Sequence, residues 1–445
     1  MIGLFEFRPG QPRRTIAAGF AACIALYGCA STAARTGADP ARGTTASQAE
    51  ARAITSDIAY LASDRLEGRG TGTPGNDSAA AYIARRFASL GLLRLDSSFE
   101  QHFVAHPLAA HNESPRSLPT QNVVALLPGT DSKLRGQFVV IGAHFDHLGR
   151  STEGALDPDR KNVIRRGADD NASGTAAVLE LARLFAATPA KRSLLFVTFS
   201  GEELGLLGSD YFATHSPLPL DSAVAMVNFD MVGRLRDDKL IVYGVATAAE
   251  LPAIVDKANS AGSVGTPLRL TALGDGFGPS DHSSFYARGI PVLHFFTDLH
   301  EDYHSAGDVP SKINAVGEAR VVDLAERVIR AIADRPSRLT FVRSAAPAPV
   351  AGSRQGSDVY LGSIPDMSSS AGQGLRLTGV RAGSPAEQAG LTAGDVIVEF
   401  AGRAVKDLYD FSDALYSHRP GDAVSVTVLR NGDRKQFTVH LGKRG

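Results

Sequence analysis

Cysteine is almost missing from this chain: 445 residues hold two, Cys23 and Cys29, both within the first thirty. The rest of the chain therefore has no thiol for an internal disulfide and no thiolate for a metal. An excess of one charge is missing too. Lysines and arginines number 46 against 47 acids, a formal net charge of −1 with no basic block, which leaves no electrostatic footprint for nucleic acid. Tryptophan is absent and carries no inference. What is plentiful is glycine (45), proline (23) and apolar residues (43%), the composition of a loop-rich globular protein. The length suggests two or three domains.

The start of the chain reads differently from the rest. In "RPGQPRRTIAAGFAACIALYGCAS" a positive stretch precedes an apolar run, residues 16–27, too short to span a bilayer as a helix. This is the form of a secretory signal. "LYGC" resembles a bacterial lipobox, in which Cys29 becomes the lipidated N-terminus, although Tyr27 stands where small residues are usual. The expectation is an exported protein, periplasmic or a cell-envelope lipoprotein, touching a membrane only through that lipid. Ser31 is not the aspartate that often retains lipoproteins at an inner membrane, which leaves an outer-membrane destination open. After residues 1–29, the small polar stretch 30–48 reads as a disordered tether.

From residue 49, two amphipathic helical patterns flank a glycine-rich turn. The pattern then changes to short apolar runs, at 122–129, 137–144, 193–200, 223–230 and 289–296, with a helix over 174–188. Continuous apolar strands separated by helices predict an α/β fold, a mixed, largely parallel sheet between helices. In such sheets ligands gather beyond the carboxyl ends of the strands. A first domain is expected over 49–338, a proline- and alanine-rich linker over 339–356, and a small β domain over 357–445.

The strand ends carry the chemistry. "GAHFDHLG" supplies His144, Asp146 and His147; "GADDNASG" supplies Asp169 and Asp170; "SGEELGLLGS" supplies Glu202 and Glu203; "NFDMVG" supplies Asp230; and "DYHSAGD" supplies His304. Each alone has a bland reading, as a packed pair, a helix start or a capped turn. Five segments delivering metal-ligand residue types to one edge of a sheet are harder to dismiss. Imidazoles with carboxylates and no thiolates suit zinc, with cobalt or manganese as substitutes. Were His144, Asp170, Glu203, Asp230 and His304 the ligands of two divalent ions, three carboxylates and a bridging hydroxide would balance four positive charges. One member of the Glu202/Glu203 pair would then be left over as a general base.

Together with "LASDRLEGRGTGTPGN" and "SDHSSF", these motifs resemble, from about residue 50 to residue 335, the M28 family of metallopeptidases of the bacterial leucyl aminopeptidase type. The resemblance implies a zinc-exopeptidase fold with two zinc ions, cleaving N-terminal residues from peptides. It implies that His144, Asp170 (bridging), Glu203, Asp230 and His304 are the ligands, Glu202 the general base, and Asp146 the carboxylate that orients His144. Where some members have a tyrosine that stabilises the oxyanion, this sequence has Phe277, and Tyr303 is the substitute considered. The same resemblance leaves carboxypeptidase and glutaminyl cyclase activities as alternatives.

Residues 357–445 resemble a bacterial PDZ domain, with "YLGSIPD" at the place of the carboxylate-binding loop. This implies a groove for an extended protein or peptide C-terminus, whose carboxylate meets the backbone amides of Leu361, Gly362 and Ser363. A non-catalytic lipoprotein that presents peptides through this groove is the competing reading from another class.

Overall fold

The computed structural model describes residues 40–107, 116–152, 154–157, 159–261, 267–343, 359–365, 374–380, 383–406, 410–411, 414–415 and 417–443. Residues 1–29, on which the expectation of a secretory signal and lipobox rests, lie outside the described residues. Helix α1 spans Pro40–Leu61, so regular structure begins nine residues before the expected start at 49. The stretch read as tether ends in Ala46, Ser47 and Gln48 and, with Ala41, carries residues that a helix tolerates. Helix α2, Pro74–Ser89, starts on Pro74 behind the N-cap Thr73, whose side chain accepts from the backbone N–H of Asn76.

The sheet of the first domain has eight strands: β1 (Glu100–Ala105), β2 (Leu118–Leu127), β3 (Phe138–His144), β4 (Ser193–Phe199), β5 (Ala223–Phe229), β6 (Lys239–Tyr243), β7 (Arg269–Ala272) and β8 (Val292–Phe296). Their order is β1-β2-β4-β3-β5-β8-β6-β7. The centre, β4-β3-β5-β8, is parallel, and antiparallel pairings join β1, β2 and β6 to it. Strands β3, β4, β5 and β8 are buried along their whole length, as a sheet covered on both faces requires.

One face packs on α1, α2, α3 (Gly174–Ala187) and α7 (Ala315–Ala333), with α5 (Leu251–Ser260) beside α7. The other packs on α4 (Leu207–Thr214) and α6 (His282–Tyr286) through Phe199, Phe212 and Phe285. Because β3, β4, β5 and β8 run the same way, their carboxyl ends share one edge. No described helix is long and apolar enough to cross a membrane.

The described residues between 359 and 443 form a six-stranded antiparallel sheet, with Val359–Tyr360 paired to Gly442–Lys443 as a separate two-stranded ribbon, around a core of Leu375, Leu377, Ile397, Phe400, Val426 and Val439. Its longest hairpin pairs Ala423–Arg430 with Asp433–His440 across Asn431 and Gly432, both at positive φ, the two-residue turn that "RNGD" predicts.

Candidate metal centre

Each ligand-type residue stands just beyond a parallel strand or on a loop folded over the same edge. His144 ends β3, Glu202 and Glu203 follow β4, Asp230 follows β5, and His304 lies in the loop after β8. Asp170 belongs to an irregular turn, Ala168–Ser173, that enters α3; the Asp170–Asn171 peptide is cis.

The side chains converge as two trios sharing one acid. His144 Nε2 lies 3.5 Å from Asp170 Oδ1 and 3.3 Å from Asp230 Oδ1. His304 Nε2 lies 3.1 Å from Asp170 Oδ2 and 3.0 Å from Glu203 Oε2. Asp170 thus faces one trio with each oxygen. Both histidines have their other nitrogen engaged. Nδ1–H of His144 donates to the Asp146 carbonyl at 3.2 Å, and Nδ1–H of His304 donates to the Gly154 carbonyl at 2.9 Å. This fixes the tautomer in which the Nε2 lone pair points at the acids, the arrangement of a metal-ligating imidazole. His304 also sits at φ 50°, an uncommon conformation for a residue other than glycine, and its carbonyl is tied to the N–H of Leu156.

The electrostatics call for positive charge at this spot. Burial works against a charged imidazole, yet Glu203 and Asp170 push the His304 pKa up to about 10. His144 is raised well above its ordinary value because Asp230, Glu202 and Asp170 outweigh its burial. Asp170 Oδ2 and Asp230 Oδ1, both facing histidine nitrogens, are buried without a hydrogen-bond partner. Orphaned carboxylate oxygens beside imidazole lone pairs fit divalent cations, and the donor set of nitrogen and oxygen fits zinc.

Glu202 stands apart from these trios. Its Oε2 is 3.9 Å from His144 Nε2, and burial raises its pKa well above the carboxylate range, with His144 opposing. Asp146 departs from the expected role. Its backbone carbonyl, rather than its carboxylate, meets His144; the nearer carboxylate oxygen is 3.8 Å away. The carboxylate instead accepts from Thr71 Oγ1 (2.8 Å) and from the backbone N–H of Glu202 (3.2 Å), so it orients the general-base candidate. Tyr303 stacks on His304 with ring centroids 3.9 Å apart, and its pKa is raised well above the usual value by burial and the surrounding acids. Phe277 packs edge-on against Tyr286. In the second domain Leu361 is buried, Gly362 has φ 80° and Ser363 opens the strand Ser363–Pro365. A Cβ at Gly362 would lie 2.2 Å from the Ser384 Cβ.

Three residues have roles that the sequence did not disclose. His147, quoted with the first motif but given no task, donates from Nδ1 to Glu203 Oε1 at 2.6 Å, the oxygen turned away from His304. Its ring is accommodated because position 167 is glycine at φ 55°; a Cβ there would lie 2.4 Å from the imidazole. Asp308, the last residue of "DYHSAGD", accepts the backbone N–H groups of Asp169 (2.9 Å) and Asp170 (3.0 Å). Arg69, fully buried, donates to the carbonyls of Phe145 (2.7 Å), Leu61 (2.6 Å), Arg166 (2.7 Å) and Gly167 (2.9 Å). Burial pulls its pKa down to about 10, so it stays charged at neutral pH.

Comparison with known proteins places this geometry in context. Residues 122–329 match the model of peptidase family M28, and residues 358–441 match that of the PDZ domain. The aminopeptidase YwaD of Bacillus subtilis is 29% identical over 179 residues, 40% of this chain and 35% of that protein. A probable leucine aminopeptidase of Trichophyton verrucosum is 28% identical over 203 residues, 43% of this chain and 51% of that protein. The chain thus spans a third to a half of the length of these curated relatives. Among solved structures, an aminopeptidase from Aneurinibacillus sp. strain AM-1 superposes with a TM-score of 0.50 at 20% identity, covering 66% of this chain and 96% of that one. The glutaminyl cyclase of Porphyromonas gingivalis gives 0.52 at 19% identity, covering 63% and 98%. These structural likenesses establish a shared fold.

Proposed function

We propose that this chain, which carries an M28 peptidase domain followed by a PDZ domain, is an exported two-metal aminopeptidase. The observation that carries the reading is the shared acid: Asp170 presents one oxygen to the His144/Asp230 trio and the other to the His304/Glu203 trio. His144, Asp230 and Asp170 would hold one zinc, and His304, Glu203 and Asp170 the second. When bound, such ions acidify a coordinated water and polarise the substrate carbonyl.

The chain's own groups do the remaining work. Glu202, held by the bond from its N–H to Asp146, is placed to take the water's proton at a carboxylate oxygen and return it to the leaving amine. Tyr303 lies among the same acids and is the candidate to donate to the developing oxyanion. Export rests on the form of residues 1–29, with Cys29 the lipid-bearing residue, and the PDZ domain would bind a chain end by strand addition over Leu361–Ser363.

Hydrolysis of leucine p-nitroanilide by zinc-loaded protein, with Glu202→Gln alongside, tests the reading. Turnover should need the metal and fall about 10²–10⁴-fold in the variant, with metal content unchanged. Wild-type protein that holds two metals and leaves this substrate intact would defeat it. A panel of peptides blocked at either end, including N-terminal glutamine, then separates carboxypeptidase and glutaminyl cyclase activities.

A further inference from the structure

The two imidazoles of the candidate metal centre are held in different ways. His144 is the last residue of β3, in register with Phe199 of β4, and its carbonyl accepts from Thr175 Oγ1 at 2.9 Å. The sheet and α3 place it. His304 belongs to no strand or helix and stands at positive φ, so its own segment does little to fix it. What grips it is a second loop, residues 154–157, at three points. The Gly154 carbonyl accepts from Nδ1–H of the ring, the Leu156 N–H donates to the His304 carbonyl, and Asp157 Oδ2 accepts from the N–H of Ala306, each at 2.9 Å. Ring, carbonyl and following turn are thereby fixed together.

The gripping loop is itself organised by Arg165, which is fully buried. Its N–H donates to the Gly149 carbonyl at 2.9 Å, closing the two ends of the loop. Its guanidinium donates to the carbonyls of Ser151 (2.9 Å), Asp157 (2.9 Å) and Arg160 (3.2 Å), and through Nε to Asp157 Oδ1 at 2.6 Å. A buried guanidinium needs a carboxylate, and Asp157 supplies it. Asp157 therefore stands at a junction. One oxygen takes the arginine that shapes its own loop, and the other takes the main chain two residues beyond His304. Gly154, at φ 77°, turns the chain so that its carbonyl meets the ring.

We infer that Asp157 is a positioning residue for His304 and, through it, for one metal of the pair alone. It belongs to neither trio. The inference rests on the two-metal reading and adds an asymmetry to it: the sheet completes the Asp230 site, whereas a loop that contributes no ligand completes the Glu203 site.

The test is chelator competition on the zinc-loaded full chain. In Asp157→Asn the amide oxygen can still take Arg165, which sets the NH2 group against the N–H of Ala306 and releases the grip while the loop keeps its arginine. Affinity at the Glu203 site should fall about 10–100-fold with the Asp230 site near wild type, so that the two metals leave in separate phases. Gly154→Ala disturbs the grip without touching the carboxylate and should act on the same site. Arg160→Gln removes an exposed charge 3.8 Å from the same carboxylate and should change neither site. In cobalt-loaded protein, the visible absorption of one metal environment should shift in Asp157→Asn, a change that lost stability alone does not produce. Equal weakening of both sites, no weakening of either, or the same effect in Arg160→Gln overturns the inference. Wild-type protein that holds a single zinc defeats the two-metal reading and this inference together. Wild-type protein that holds two, with Asp157→Asn unchanged, defeats this inference alone.

Discussion

Asp308 and Asp170 come together through the main chain: the carboxylate of Asp308 accepts the N–H groups of Asp169 and Asp170, so one acid fixes the backbone from which another bridges the two trios. Removing the acceptor leaves two buried N–H groups unsatisfied, about 1–3 kcal/mol each. Asp308→Ala should weaken metal binding by about 10–100-fold, and Asp308→Asn by less, since one oxygen remains. Chelator competition measures this, and wild-type affinity in Asp308→Ala would show that the turn holds itself.

His147 bears mainly on the Glu203 trio, although its Nδ1 also lies 3.7 Å from Oδ2 of the shared Asp170. Its bond to Glu203 Oε1 holds the carboxylate so that Oε2 faces His304. His147→Ala should lower affinity at the Glu203 site by about 10–100-fold and leave the Asp230 site near wild type, turning a single chelation phase into two. His147→Asn keeps a donor close to the Nδ1 position and should recover part of the loss. Gly167→Ala should do more harm than His147→Ala, because its Cβ would lie 1.9 Å from the backbone oxygen of Asp170, the acid shared by both trios, as well as 2.4 Å from the His147 ring.

Glu318 on α7 is fully buried with neither carboxylate oxygen hydrogen-bonded. Burial, reinforced by Asp169 and Asp57, raises its pKa well above 4.5. The folded protein therefore keeps a proton that the unfolded chain releases, and stability declines as pH rises from about 4.5 toward the folded pKa. Glu318→Gln should raise unfolding free energy by on the order of 1–3 kcal/mol at pH 7.5, with no gain below pH ~4. Urea unfolding at the two pH values reads the difference.

In the PDZ domain the sign reverses. Buried Asp395 accepts a two-point contact from Arg430, at 2.6 and 2.7 Å. Burial raises its pKa, but that contact overcomes it and holds the carboxyl below its ordinary 3.8. The stabilisation is complete above pH 3.8 and is lost as pH falls through that value toward the folded pKa. Asp395→Asn should cost about 1.5–3 kcal/mol at pH 7 and progressively less in acid, read from hydrogen exchange of the Ala423–His440 hairpin.

The buried strands were legible because a strand covered on both faces must be continuously apolar, and β3, β4, β5 and β8 are. Strands β1, β6 and β7 escaped notice: at the sheet's margins they mix charge with apolar residues, as in "EQHFVA" and "RLTA". The ligand-type residues were legible because metal chemistry restricts residue type and the fold restricts position. Their supports were not. An arginine within "EGRGTG" gives no sign of the carbonyls it meets, and an aspartate four residues after His304 gives no sign that it holds the turn at Asp170. Such roles are set by which loops meet in space, and residue type alone does not encode that.

Arg69 has a bearing on where this chain can be cut. Its guanidinium ties the end of α1, the segment between His144 and Asp146, and the approach to Asp170 into one piece, yet it precedes the 122–329 segment matched to the peptidase family. A fragment trimmed to that match would keep every ligand candidate and lose the clasp, leaving the three carbonyls of Phe145, Arg166 and Gly167 without it. The smallest fragment expected to keep this arrangement therefore begins upstream of α2, and two co-expressed halves divided near residue 116 would have to associate before the loops regained this clasp.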